Sequence, residues 1–156
     1  MQIVEFKDSE LDEDCLKTFF RNNDYLFPDP FSLHVDINLY VKKLLLYGTV
    51  IVAKNLNEII GIACFYANDY STYFAHLQVL LVCSKYQGME VGCKLIKAVH
   101  NMAFKEGMKY CTLTVDISNI NAEKLYTRLG YKNYNVTNTN RNKKNMIVVL
   151  GREKLI

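Results

Sequence analysis

The stretch that decides the fold is 79–106. It opens on Val79-Leu80-Leu81-Val82, turns through Gln87-Gly88-Met89-Glu90-Val91-Gly92, and runs on from Cys93 to Glu106. The opening residues belong to an extended apolar run, Tyr73 to Cys83. After the turn, Leu95, Ile96, Val99, Met102 and Ala103 form one apolar stripe at helical spacing, and Gly107 stands in the helix stop position. A helix N-terminus carries unpaired N–H groups and the positive end of the helix dipole. A loop converging there suits a phosphate, and glycine lets the backbone approach a ligand closely. The same pattern also serves as a plain turn. It contains neither Gly-Lys-Ser/Thr nor Gly-x-Gly-x-x-Gly, so it is neither a P-loop nor a dinucleotide fingerprint.

Outward from this unit, Tyr110 to Val115 reads as a strand with Thr and Val at alternating places. Asn119 can cap a short helix whose one face is Ala122, Leu125, Tyr126 and Leu129, closed by Gly130. Tyr131 to Val136 and Met146 to Leu150 read as the last two strands. Upstream, Gln2 to Lys7 is a short strand, and Ser9 to Arg21 and Val35 to Tyr47 are helices. Thr49 to Lys54, the turn Asn55-Leu56-Asn57 and Glu58 to Tyr66 make a hairpin. The order is β α α β β β α β α β β. It predicts an α+β (mixed α/β) sandwich.

The chain has 156 residues, and one domain over 1–156 is expected. Half its residues are hydrophobic and 22% are charged, which excludes intrinsic disorder. No run of about 18 apolar residues offers a membrane span, and charges occupy the N-terminal stretch where a signal peptide needs an apolar core. The net charge of +3 is too weak to argue for nucleic acid. Lys94, Lys97 and Lys105 read as a solvated helix face or an anion-binding rim. The five cysteines, Cys15, Cys64, Cys83, Cys93 and Cys111, form no CxxC pair. No metal site is expected, and reduced thiols in a cytoplasmic protein are the natural reading. Asn138 to Asn142 reads as a polar loop.

The element from Asn119 to Tyr131 is distinctive: Asn119-Ile120-Asn121-Ala122-Glu123-Lys124-Leu125-Tyr126-Thr127-Arg128-Leu129-Gly130-Tyr131. It is similar to the motif Asn-x-x-Ala-x-x-Leu-Tyr-x-x-Leu-Gly-Tyr/Phe of the GNAT superfamily of acetyl-CoA-dependent N-acetyltransferases. Gln87 to Gly92 resembles that family's Gln/Arg-x-x-Gly-x-Gly/Ala pyrophosphate motif. The resemblance runs from about Val50 to Val136. It implies a mostly antiparallel sheet of about seven strands, splayed between two parallel central strands and flanked by about four helices. It also implies a V-shaped cofactor site, with Leu80 and Val82 pairing with the pantetheine arm like an added strand. The amides of Gln87, Gly88, Met89, Glu90, Val91, Gly92 and Cys93 would hold the pyrophosphate, and Asn119 the arm from the other side. One departure stands out: Glu90 occupies the motif's first glycine and brings a carboxylate toward the phosphates. That puts cofactor affinity in question.

The chemistry implied is direct attack of a primary amine on a thioester. The amine must lose a proton, the developing oxyanion needs donors such as a backbone N–H near Leu80 or Leu81, and the leaving thiolate needs a proton or a hydrogen bond. By resemblance Tyr126 serves the thiolate. Reference pKa values of about 10 and about 8.5 make full transfer uphill by about 2 kcal/mol in water, so Tyr126 acts as donor at least. On periodicity alone Tyr126 is simply part of its helix's apolar face. No Asp or Glu lies between Tyr73 and Val82. His76 stands where the family's base carboxylate falls and suits base work at neutral pH; it reads equally as a satisfied strand histidine. Gln78 could instead position a water. Cys93 is a weak candidate nucleophile. His34 and His100 have no evident partner and read as helix-surface residues. Tyr25, Phe27 and Phe31 line an acceptor pocket or pack a loop.

The acceptor is a small-molecule or peptide amine, and the stretch from Pro28 to Leu46 bears a faint likeness to bacterial family members. Two rivals remain: a non-catalytic acyl-CoA-binding or sensing module, motivated by Glu90, and an α/β domain whose glycines are only turns. The apolar strand Met146 to Leu150 makes a homodimer possible.

Overall fold

The structure is a computed structural model and describes residues 1–134 and 141–151. The elements are β1 (Gln2–Glu5), α1 (Glu13–Asn23), α2 (Ile37–Tyr47), β2 (Thr49–Asn55), β3 (Glu58–Asp69), β4 (Phe74–Val82), α3 (Val91–Lys105), β5 (Tyr110–Asp116), α4 (Ile120–Arg128), β6 (Lys132–Asn133) and β7 (Lys143–Val149). They form one seven-stranded sheet in the order β1-β2-β3-β4-β5-β7-β6. Every neighbouring pair is antiparallel except β4–β5. This is the α+β, GNAT-like architecture expected from the sequence. The strand expected over Tyr131 to Val136 reduces to Lys132–Asn133, and its last two residues, with Asn138 to Asn140 of the expected polar loop, lie outside the described residues.

Caps shift two helix starts from where periodicity placed them. Helix α1 begins at Glu13 because the Asp12 carboxylate accepts the Cys15 amide at 2.9 Å. Ser9 lies outside it: its buried hydroxyl donates to the Phe6 carbonyl at 2.6 Å and closes a 3₁₀ turn. Asp36 caps α2 in the same way as Asp12.

Two apolar layers sandwich the sheet. On one face α3 and α4 pack against Ile51, Ile60, Ala75, Leu77, Leu113, Val115 and Met146. On the other, α1 and α2 pack against Val50, Val52, Ile62, Cys64, Val79 and Leu81. Strand β4 therefore contributes Ala75 and Leu77 to one core and Val79 and Leu81 to the other. A regular strand keeps alternate residues on one face. The switch comes from a bulge: Cys64 pairs with Val79 but Phe65 pairs with Leu77, so Gln78 is the extra residue. Gly61 brings α3 down onto β3, where a Cβ would stand 3.1 Å from Leu95 and 3.2 Å from Val91. Among the described residues no helix is long and apolar enough to cross a membrane.

Candidate active site between the parallel strands

Strands β4 and β5 pair from Phe74↔Tyr110 to Leu77↔Leu113 and then diverge. The divergence begins at the Gln78 bulge. Beyond it the facing edges of the two strands no longer pair with each other, and a cleft of about 990 Å³ opens between them. Its walls are His76 to Val82 of β4, Leu113 to Asp116 of β5, the loop and first turn of α3, one side of α4, and the segment Leu26 to Phe31. Unpaired strand edges can accept an extended chain as an added strand.

Gly88 has φ +76°, in the left-handed region, and Glu90 occupies the same region at φ 64° and ψ 8°. Glu90 thus adopts the backbone a glycine would adopt there. Its carbonyl accepts the Lys94 amide at 3.0 Å, which starts α3. Its carboxylate lies 3.4 Å from Arg128 Nη2 at the end of α4; both side chains are largely exposed and both border the cleft. A Cβ on Gly92 would stand 3.2 Å from Leu125 and 3.8 Å from Leu80 and Val82, so glycine leaves room between β4 and α4 where the cleft is narrow. The Gln87 side-chain amide donates to the Val82 carbonyl at 3.1 Å and ties the loop to the end of β4.

Of the expected cofactor contacts, Leu80, Val82, Gln87, Gly88, Glu90, Val91, Gly92, Cys93 and Asn119 all line the cleft; Met89 does not and points to solvent. The Asn119 side-chain Oδ1 accepts the Ala122 amide at 3.3 Å and caps α4, leaving its side-chain N–H₂ as donor.

His76 and Tyr126 open on the same cleft. His76 sits on the last rungs before the strands part, opposite Thr112. Its Nδ1 lies 3.0 Å from Thr112 Oγ1, and Thr112 Oγ1 donates to the Ala75 carbonyl at 3.3 Å. Burial pushes the His76 pKa below its ordinary value by penalising the imidazolium, so the ring is neutral at neutral pH. Tyr126 is 8% exposed, and its ring meets the Tyr131 ring edge to face at 5.7 Å. Burial pushes its phenol well above the usual value, with Cys111 nearby adding to the rise. The phenol therefore keeps its proton and is a hydrogen-bond donor at neutral pH.

The other sequence candidates resolve individually. His100 is not a helix-surface residue: it is 2% exposed and its Nε2 lies 2.7 Å from the Tyr131 hydroxyl, also buried. The sequence hides this because Tyr131 is 31 residues away. His34 Nε2 lies 2.6 Å from Asp29 Oδ1 on the exposed rim. Phe27 and Phe31 both line the cleft and pack together, with ring centroids 4.9 Å apart, whereas Tyr25 is exposed and outside the walls. Cys93 is buried in the first turn of α3, and all five cysteines are free thiols. Among the described residues no group of three or more metal-ligating side chains is placed to hold an ion. Thr112 and Arg128 escaped the sequence reading because their partners, His76 and Glu90, lie 36 and 38 residues away.

The residues present fit an acyl-CoA. Diverging strand edges receive an extended arm, Gly92 keeps the narrow part of the cleft clear, and the N-terminal turn of α3 faces the same space. The Glu90 carboxylate stands beside the Arg128 guanidinium, which offsets its charge at the cleft.

A sequence model described as the Acetyltransferase (GNAT) family matches residues 13–131. Among solved structures, an aminoglycoside 6'-acetyltransferase type Ii superposes with a TM-score of 0.79 at 19% identity, covering 96% of this chain and 97% of that one. An aminoglycoside 6'-N-acetyltransferase complexed with coenzyme A gives 0.74 at 17% identity, with 96% and 97% covered. The ribosomal-protein-S18-alanine N-acetyltransferase from Escherichia coli gives 0.74 at 16% identity, with 96% and 93% covered. At these identities the likeness is one of fold. No curated protein matches the chain. The family match spans most of the chain, the fold agrees with it, and the family's donor is acetyl-CoA: this chain belongs to the GNAT acetyltransferase family.

Proposed function

We propose that the protein transfers the acetyl group of acetyl-CoA to a primary amine by direct attack. The observation that carries this reading is that His76 and Tyr126 open on one cleft that also ends at the α3 N-terminus. Bound acetyl-CoA supplies an acetyl thioester, an electrophile that an uncharged amine can attack. Backbone edges around Leu80 and Val82 bind the extended arm, and amides from Gln87 to Cys93 bind phosphate oxygens. His76 Nε2 takes the proton from the incoming ammonium. A backbone N–H near Leu80 or Leu81 would supply a donor to the oxygen on which charge develops. Tyr126 holds its proton toward the sulfur. A buried phenol with a raised pKa gives that proton up reluctantly, so its part is hydrogen-bond donation before full transfer.

The test is thiol release from acetyl-CoA in an amine screen. The named activities of the similar folds make aminoglycosides and an alanine-headed ribosomal peptide reasonable first acceptors. Tyr126→Phe and His76→Ala are each expected to lower kcat by about 10²-fold or more, within the range of acid–base contributions. Wild-type kcat/KM should fall with acid only below the ordinary histidine value of about 6.5, because burial keeps His76 neutral to lower pH. That acid limb should vanish in His76→Ala. A second reading, acyl-CoA binding or sensing without turnover, rests on the departure from the family motif at Glu90. Binding by calorimetry with no thiol release from any amine would support it.

A further inference from the structure

His76 and Thr112 face each other on the penultimate rung of the parallel pair. Thr112 Oγ1 lies 3.0 Å from His76 Nδ1 and 3.3 Å from the Ala75 carbonyl oxygen. A threonine hydroxyl carries one proton, so it can be donated in only one direction. If it goes to Nδ1, one hydrogen bond forms, and two oxygens face each other at 3.3 Å with no proton between them. If the imidazole proton sits on Nδ1, that N–H donates to Oγ1 and the hydroxyl donates to the Ala75 carbonyl. The second arrangement makes two bonds in a chain, each polarising the other, and leaves no polar atom of the trio unmatched.

We infer that Thr112 fixes His76 as the Nδ1–H tautomer, leaving Nε2 as the nitrogen whose lone pair is free to take a proton. Thr112 is a positioning residue: it reaches the amine only through the imidazole. Its part in catalysis rests on the base role proposed above for His76. A carboxylate could hold the ring equally well, but it would favour the imidazolium and raise the pKa. A neutral hydroxyl sets the tautomer without adding that charge.

The tautomer can be read without turnover. The full chain, labelled with nitrogen-15 at histidine, carries three imidazoles, those of His34, His76 and His100. The His76→Gln variant assigns the resonances. Above its titration, wild-type His76 should show a protonated Nδ1 and a bare Nε2. Thr112→Val, of the same shape, should move His76 toward the Nε2–H form that imidazole prefers in water. Thr112→Ser should keep the wild-type form. Unchanged His34 and His100 signals show that the variants are folded. With an amine accepted in the screen, Thr112→Val should lower kcat about tenfold or more, as loss of an imidazole's outer partner does. KM for acetyl-CoA should stay within about twofold, and Thr112→Ser should restore most of the rate. A wild-type Nε2–H tautomer, or a Thr112→Val spectrum identical to wild type, would overturn the inference. The wild-type spectrum alone decides it if Thr112→Val does not fold. An Nδ1–H tautomer combined with wild-type turnover by His76→Ala would overturn the base reading, and with it Thr112's part in catalysis, while the hydrogen-bond chain itself stood.

Discussion

Glu90 concentrates two opposing effects in one residue. A non-glycine residue in the left-handed region costs about 1–2 kcal/mol, and its φ of 64° lies there. Replacing it with glycine relieves that strain but adds about 0.4–1 kcal/mol of unfolded-chain freedom and removes an exposed ion pair worth about 0–1 kcal/mol. These terms nearly cancel, so Glu90→Gly should change denaturant stability by less than about 1 kcal/mol. The same substitution removes a carboxylate beside the phosphate loop, so calorimetry should show tighter binding of acetyl-CoA. Weaker binding would mean that Arg128 needs its partner to stay in place. Tyr131 is the opposite case, a buried group whose polar bond is intact. Tyr131→Phe strips the hydroxyl that meets His100 Nε2 at 2.7 Å. It should cost about 1–3 kcal/mol, the range for disrupting a buried bond, read as a lower denaturation midpoint with unchanged slope. The sequence shows both residues; only the fold shows what each touches.

At the scale of elements, β4 and its bulge make the site. Periodicity in Tyr73 to Cys83 foretold a strand, and the strand is there, but a simple alternation would have put Ala75, Leu77, Val79 and Leu81 on one face. Instead they divide between the two cores around Gln78. The bulge exchanges the alternate sets: before it Ala75 and Leu77 face the α3 layer, and beyond it Leu80 and Val82 do, while Val79 and Leu81 face the α1–α2 layer; it coincides with the point where β5 departs. Because Gln78 is the extra residue, deleting it leaves Leu77 and Val79 adjacent, still opposite Phe65 and Cys64 and still on opposite faces. The deletion variant should therefore keep a cooperative unfolding transition, as should Gln78→Ala. An insertion of one alanine after Val79 instead exchanges the faces of the residues beyond it and should abolish cooperative unfolding; a cooperative insertion variant would show that the strand can repair its register elsewhere. The bulge was not legible because both alternations are equally apolar here: Val79, Leu80, Leu81 and Val82 offer no polar residue to mark a face.

At the scale of the whole molecule, the sheet is two halves held by one short parallel seam of four paired residues. Beyond the seam one apolar cluster runs through both halves, with α3 packed on β1 to β4. A ligand that bridges the facing strand edges should therefore stabilise both halves together. At 100 times its dissociation constant, acetyl-CoA should add about 2.7 kcal/mol to stability. Amide exchange should slow over 78–82 and 114–116 together. Slowing confined to the α3 loop would place only the phosphates in the site and leave the arm outside it.

The sequence alone determined the order of elements, the glycine turn before α3 and the Asn119 to Tyr131 motif, because all of these are local: hydrophobic periods, glycines at turns and a motif of 13 consecutive residues. The tertiary structure alone decided the burial of His100, the solvent-facing position of Met89, the bulge at Gln78, and the pairings of Thr112 with His76 and Glu90 with Arg128. The physical reason is range. Helix period and turn chemistry act over a few residues, whereas a buried polar group takes whatever partner the packed chain brings within about 3 Å, however far along the sequence that partner lies.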